Sequence, residues 1–214
     1  MVRIFCKSWN GKNEKDGSFK EIIDIYNEQK NLPRGYKLKY TDSWCMGTLS
    51  AAAIKCKATD IIPIECSCGR FIELAKEKGI WIEDDSITPL PGDFIVYDWD
   101  DDGNPSENKG WPEHIGLVIE VKNGIITVIE GNKNNAIGYR EIKVNAKFIR
   151  GFARPKYDKE KTPAPEKTKN YLSEGDSGKD VETMQSMLIY CGYSCGKHGA
   201  DKRFPNMKIK DQED

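Results

Sequence analysis

The chain has 214 residues, 38% hydrophobic and 31% charged, with a formal net charge of -1. That balance allows a core but excludes the basic surface that nucleic acid would require. No stretch approaches the ~20 apolar residues of a membrane span, which excludes insertion by a helix. The start, Met1-Val2-Arg3-Ile4-Phe5-Cys6-Lys7-Ser8, lacks an apolar run long enough for a secretory signal, so synthesis in the cytoplasm is expected. Seven cysteines (Cys6, Cys45, Cys56, Cys66, Cys68, Cys191 and Cys195) are an odd number, and reduced thiols are expected rather than a disulfide framework. Cys66-x-Cys68 and Cys191-x3-Cys195-x2-His198 lack a second half with zinc-site spacing.

Residues 18–30 carry Phe19, Ile22, Ile23 and Tyr26 at helical spacing, with Asp16 or Ser18 as the cap. Asn31-Leu32-Pro33-Arg34-Gly35 ends that helix. A second begins near Asp42 or Ser43 and places Cys45, Leu49, Ala52, Ala53 and Cys56 on one face. A third, 68–78, presents Phe71, Ile72, Leu74 and Ala75 and stops at Gly79. After Pro89-Leu90-Pro91-Gly92 the texture becomes strand-like over 94–97, 115–121, 125–129 and 148–153, with Asn123-Gly124 as a hairpin turn. The expected class is α+β, with N-terminal helices packed on an antiparallel sheet. Residues 1–155 form the main domain, 156–170 a charged, proline-bearing linker, and 171–214 a short helical tail.

Cys45 lies in the first turn of the second helix, where the positive end of the helix dipole favours thiolate. His114 is the only histidine ahead of the linker. Glu130 and Asn132, two apart on a strand, share a face and could orient its ring. Nucleophile, base and orienting groups are what covalent acyl transfer needs, so the chain reads as a cysteine hydrolase. Register sets a condition. A two-residue turn at Asn123-Gly124 sends His114 to the face opposite Glu130 and Asn132, whereas a three-residue loop puts all three together. The reading therefore expects the odd loop.

Trp44-Cys45, Pro91-Gly92-Asp93, His114-Ile115-Gly116-Leu117-Val118 and Glu130-Gly131-Asn132 resemble, in that order, the motifs of the CHAP family of peptidoglycan hydrolases. The resemblance spans residues 16–157 and implies a papain-like fold that cleaves amide bonds in bacterial cell walls. It implies Cys45 as nucleophile, His114 as base, Glu130 as orienting acid and Asn132 as its accessory, with no required cofactor. Residues 172–193 are similar to the start of a peptidoglycan-binding helical module, cut about one helix short. The expected protein is a monomeric amidase or peptide endopeptidase of phage or prophage endolysin type, with peptidoglycan as its partner and the wall as its place of action. A papain-like protease on protein substrates and a non-catalytic wall-binding protein are the alternatives. Asp98-x-Asp100-x-Asp102-Gly103-Asn104 matches the first half of a calcium loop, though Lys109 stands where the closing Glu belongs. Calcium at Asp98, Asp100 and Asp102 or a solvated acidic turn are the two readings.

Overall fold

The computed structural model describes residues 2–100, 110–157, 178, 181 and 183–185. The chain divides into two units, Met1–Tyr157 and Asp158–Asp214. In the first, helices α1 (Val2–Ser8), α2 (Lys20–Asn27), α3 (Cys45–Lys55) and α4 (Cys68–Glu77) precede almost all of the sheet. The strands are β1 (Trp81–Ile82), β2 (Phe94–Tyr97), β3 (His114–Lys122), β4 (Ile125–Lys133), β5 (Ala136–Lys143) and β6 (Ile149–Ala153). They form one antiparallel sheet in the order β1-β6-β2-β3-β4-β5. The class is α+β. In the second unit, residues 181 and 183–185 are helical and Gly178 is a bend; apart from these and residues 156–157, the expected linker and tail lie outside the described residues.

The sheet separates two apolar clusters, as strand alternation requires. Phe94, Val96, Ile115, Leu117 and Ile129 face a core shared with the helices, including Ile22, Ile23, Leu49 and Phe71. Ile95, Tyr97, Val118, Val128 and Phe152 form the other cluster. Helix α3 is buried almost throughout because its small residues, from Gly47 to Ala53, let it lie close to its neighbours.

Two helix starts differ from the sequence reading, and three elements are additional to it. The first helix starts at Lys20 with Phe19 at its cap and no side-chain cap bond. Ser18 instead accepts the Asn13 N–H, and Asp16 accepts the Ser18 N–H, so both close the preceding turn. Helix α3 starts at Cys45 itself, because the Asp42 carboxylate is occupied by the Lys39 N–H and the Tyr36 hydroxyl. Helix α1 and strands β1 and β5 were not anticipated. Only Val2 and Cys6 of α1 are buried, and β5 has one buried residue, Ile137, with half-buried and exposed positions alternating beyond it at a sheet edge.

The hairpin meets the register condition by another route. Its turn has two residues, Asn123 (φ 51°) and Gly124 (φ 75°), and Lys122 pairs with Ile125. A bulge between Val118 and Glu120 then leaves Ile119 as an extra residue, so Val118 pairs with Val128 and Leu117 with Ile129. The expected three-residue loop is thus replaced by a two-residue loop plus a bulge. Continued from Leu117, this register sets Gly116 against Glu130, and a Cβ on Gly116 would lie 2.8 Å from Glu130 Cγ.

Candidate active site

The position of Cys45 is fixed from behind. Trp44 is fully buried, its indole N–H donates to Glu14 Oε1 at 2.9 Å, and its ring packs on Phe19 at 5.4 Å between centroids. One turn on, the Thr48 hydroxyl donates to the Trp44 carbonyl at 3.0 Å. Gly131 of β4 lies against Thr48 so closely that a Cβ there would sit 1.9 Å from Thr48 Oγ1. The first residue of α3 is therefore held against the sheet by a buried ring on one side and a glycine contact on the other. That residue is Cys45, among the unpaired N–H groups of the helix start.

His114 opens β3 opposite Tyr97. The Tyr97 ring stacks on the imidazole at 5.8 Å, with Trp99 tilted at 6.1 Å. The loop entering the strand is closed by Glu113, whose N–H donates to the Tyr97 carbonyl and whose carboxylate accepts the Trp99 N–H at 2.6 Å. His114 Nε2 faces Glu130 Oε2 at 3.2 Å. The other Glu130 oxygen accepts from Arg140 Nε at 2.6 Å, while the Arg140 guanidinium lies 4.9 Å from the Trp99 ring centre and 5.5 Å from that of Tyr97. Pro91-Gly92-Asp93 has a structural part. The Asp93 carboxylate pairs with Arg154 at 2.7 Å, and the Gly92 N–H and Asp93 carbonyl both bond Val118 of β3.

The charges reinforce one another. Cys45 is held well below the ordinary thiol range, chiefly by a hydrogen bond from the Cys68 thiol, whose sulfur is 3.7 Å away. Burial opposes that shift, and the hydrogen bond and charge of His114 and the Met46 N–H support it. Burial also works against a charged His114, but hydrogen bonds to Cys45 and Glu130 outweigh it and push its pKa up to about 9. Burial would raise Glu130, yet His114 and Arg140 keep it ionised, below the usual carboxylate value. All three shifts run in the direction that favours a Cys45 thiolate beside a charged His114 and an ionised Glu130.

The sign of the pH dependence follows. Thiolate is present well below the ordinary thiol pKa, and the imidazolium is lost as pH rises through about 9. Cys45 should react with iodoacetamide at neutral pH far faster than Cys6, whose thiol burial pushes up to about 12. Any turnover that relies on His114 as an acid should fall above pH 9 as the imidazolium disappears. Mass mapping of alkylated peptides against pH checks the first expectation, and equal labelling of Cys45 and Cys6 would contradict it.

The other sequence-stated residues are placed differently. Asn132 sits in a bulge of β4 against β5, with φ 57°, and its side chain makes no hydrogen bond among the described residues. Asp98 is buried, accepts the Asp100 N–H at 3.1 Å, and packs against Gly110, while Asp100 is exposed. Asp102, Gly103, Asn104 and Lys109 lie outside the described residues. Among the described residues no three or more His, Cys, Asp or Glu side chains are gathered as a metal site.

Three neighbours of the site escaped the sequence reading. Cys68 is the first residue of α4, behind a Ser67 cap that accepts the Arg70 N–H, so a second thiol at a helix start was the available signal. Arg140 gave none, since its partner depends on a β4–β5 register that no turn motif announced. Trp111 is 72% exposed, and its ring covers Gly69 beside Cys68. No protein family, curated protein or solved structure matches the chain.

Proposed function

We propose that the protein is a peptidoglycan hydrolase that cleaves a wall amide through a Cys45 thioester. The observation that carries this reading is that Cys45, His114 and Glu130 come from three separate segments, with His114 bonded to Glu130 at 3.2 Å and electrostatically linked to Cys45. The four ordered motifs supply the substrate class, a papain-like arrangement and an endolysin-type role at the wall. Two of those motifs build the framework: Gly131 admits α3, and Asp93 docks β2 on β3.

The thiolate attacks the amide carbon, and the oxygen gains charge beside the Cys45 N–H at the start of α3. His114 then protonates the leaving amine, which breaks the C–N bond and leaves the thioester. A water deprotonated by His114 attacks that carbonyl, expels the thiolate and releases a carboxylate. Glu130, itself clamped by Arg140, stabilises the imidazolium and holds the ring's orientation through both halves.

No helix among the described residues is long and apolar enough to cross a membrane. The proposed enzyme works as a monomer on peptidoglycan from outside the bilayer, without a required cofactor. Mass spectrometry of digested Gram-positive walls should reveal one new amine. An alanine N-terminus assigns an N-acetylmuramoyl-L-alanine amidase, and an amine elsewhere in the stem or bridge assigns an endopeptidase. Intact walls together with hydrolysed casein would refute the wall substrate.

A further inference from the structure

Two helices begin at the same place. Cys45 and Cys68 are the first residues of α3 and α4, and their sulfurs stand 3.7 Å apart. Both are buried, at 4% and 8% exposure, and no disulfide joins them. The hydrolytic steps above make and break bonds at one sulfur, while the second lends it a hydrogen bond and does no bond chemistry of its own. A buried thiol in contact with a nucleophilic thiolate is the arrangement that resolves sulfenic acids elsewhere in chemistry.

We propose that Cys45 and Cys68 form a reversible redox site, in which hydrogen peroxide oxidises Cys45 and Cys68 captures it as a disulfide. The Cys45 thiolate attacks one peroxide oxygen, and the O–O bond breaks. The leaving hydroxide takes the His114 proton and departs as water, with Cys45 now a sulfenic acid. Cys68 sulfur then attacks Cys45 sulfur, the S–O bond breaks, and the Cys68 proton leaves with that hydroxide as a second water. Two thiols give up two electrons, the peroxide accepts them, and a thiol reductant reverses the change.

Selectivity follows from the surroundings. Burial pushes Cys6 up to about 12 and Cys56 up to about 11, so both stay as unreactive thiols. Cys66 is half-buried beside the Glu65 carboxylate, and burial raises its thiol too. Among the described residues, only Cys45 combines thiolate character with a second sulfur in contact. Closing from a 3.7 Å contact to a bond of about 2.05 Å needs side-chain rotation at two helix ends. The disulfide would occupy the nucleophile and switch hydrolysis off. It would also keep Cys45 from advancing to sulfinic acid, which ordinary thiols cannot reduce.

The test needs no substrate, so its failure is distinct from failure of the hydrolase reading. The full chain is treated with an excess of hydrogen peroxide, more than two equivalents per Cys45, at neutral pH, then blocked with N-ethylmaleimide and digested with trypsin. The expected product joins peptide 40–55 to peptide 58–70, lighter by two hydrogens, with fragmentation placing the link at Cys68 rather than Cys66. Dithiothreitol should regenerate both thiols. In Cys68→Ser, and in Cys68→Ala should serine disturb the fold, Cys45 should instead gain two oxygens that dithiothreitol leaves in place. Wild-type Cys45 that goes to sulfinic acid as fast as in the Cys68 variants overturns the proposal, as does a link confined to Cys66 and Cys68.

Discussion

Cys45→Ala and His114→Ala should each lower wall hydrolysis by on the order of 10³-fold or more, and the double variant should be little worse than either. The thiolate and the imidazolium sustain each other, so removing either partner abolishes the charge pair and not half of it. The fold should survive. Cys45 occupies a helix end whose position is set by Trp44, Thr48 and Gly131, none of which is altered. Turbidity loss of purified walls measures the activity, and circular dichroism with thermal melting measures the fold. Full activity in folded Cys45→Ala would end the thiol mechanism. Glu130→Gln should keep measurable hydrolysis, because the amide preserves shape while losing the charge that stabilises imidazolium. NMR titration offers a second readout: His114 should lose its proton at lower pH in Cys45→Ala, since burial then works against the charged ring with one supporting partner gone.

Gly131→Val should be the most damaging single change away from the chemistry. Any Cβ at this position meets Thr48 Oγ1 at 1.9 Å and Thr48 Cβ at 2.6 Å, so α3 must move or β4 must bend. Overpacking of this kind costs about 1–3 kcal/mol. For a chain of this size each kcal/mol lowers the melting temperature by roughly 2–4 °C. Hydrolysis should fall more steeply than stability, because the displaced element carries Cys45 at its tip. Denaturant titration and turbidity assays on the same preparation separate the two effects. An unchanged melting temperature in both Gly131→Ala and Gly131→Val would show that α3 does not lie against β4 in solution.

Much of this arrangement was legible before any coordinates. The helical stripe through Leu49, Ala52 and Ala53 fixed the depth of Cys45, and the β-branched runs marked β2, β3, β4 and β6. Local patterns of this kind are readable because one buried face dictates them. Long-range pairing is not. Cys68 comes to Cys45 across 23 residues, and Arg140 reaches Glu130 only because β5 adds to the sheet's edge. The α3 start was misplaced for a physical reason, since Asp42 had a tighter use in its own turn. Asn132 shows the limit of counting by twos: a left-handed residue in a bulge no longer shares the face that strict alternation assigns to it.

The Ile119 bulge gives the hairpin an arithmetic that mutation must respect. The turn at Asn123-Gly124 and the bulge each contribute one step to the parity of everything above them, and only the total decides which side of β3 His114 occupies. Losing Ile119 alone would invert that parity and strand the imidazole on the wrong surface, although every catalytic residue remained in the chain. Losing it together with a one-residue gain at the tip would restore the original pairing. Insertions and deletions along this ribbon are therefore neutral in pairs and ruinous singly, so two related genes could differ in length at both places and still encode the same site.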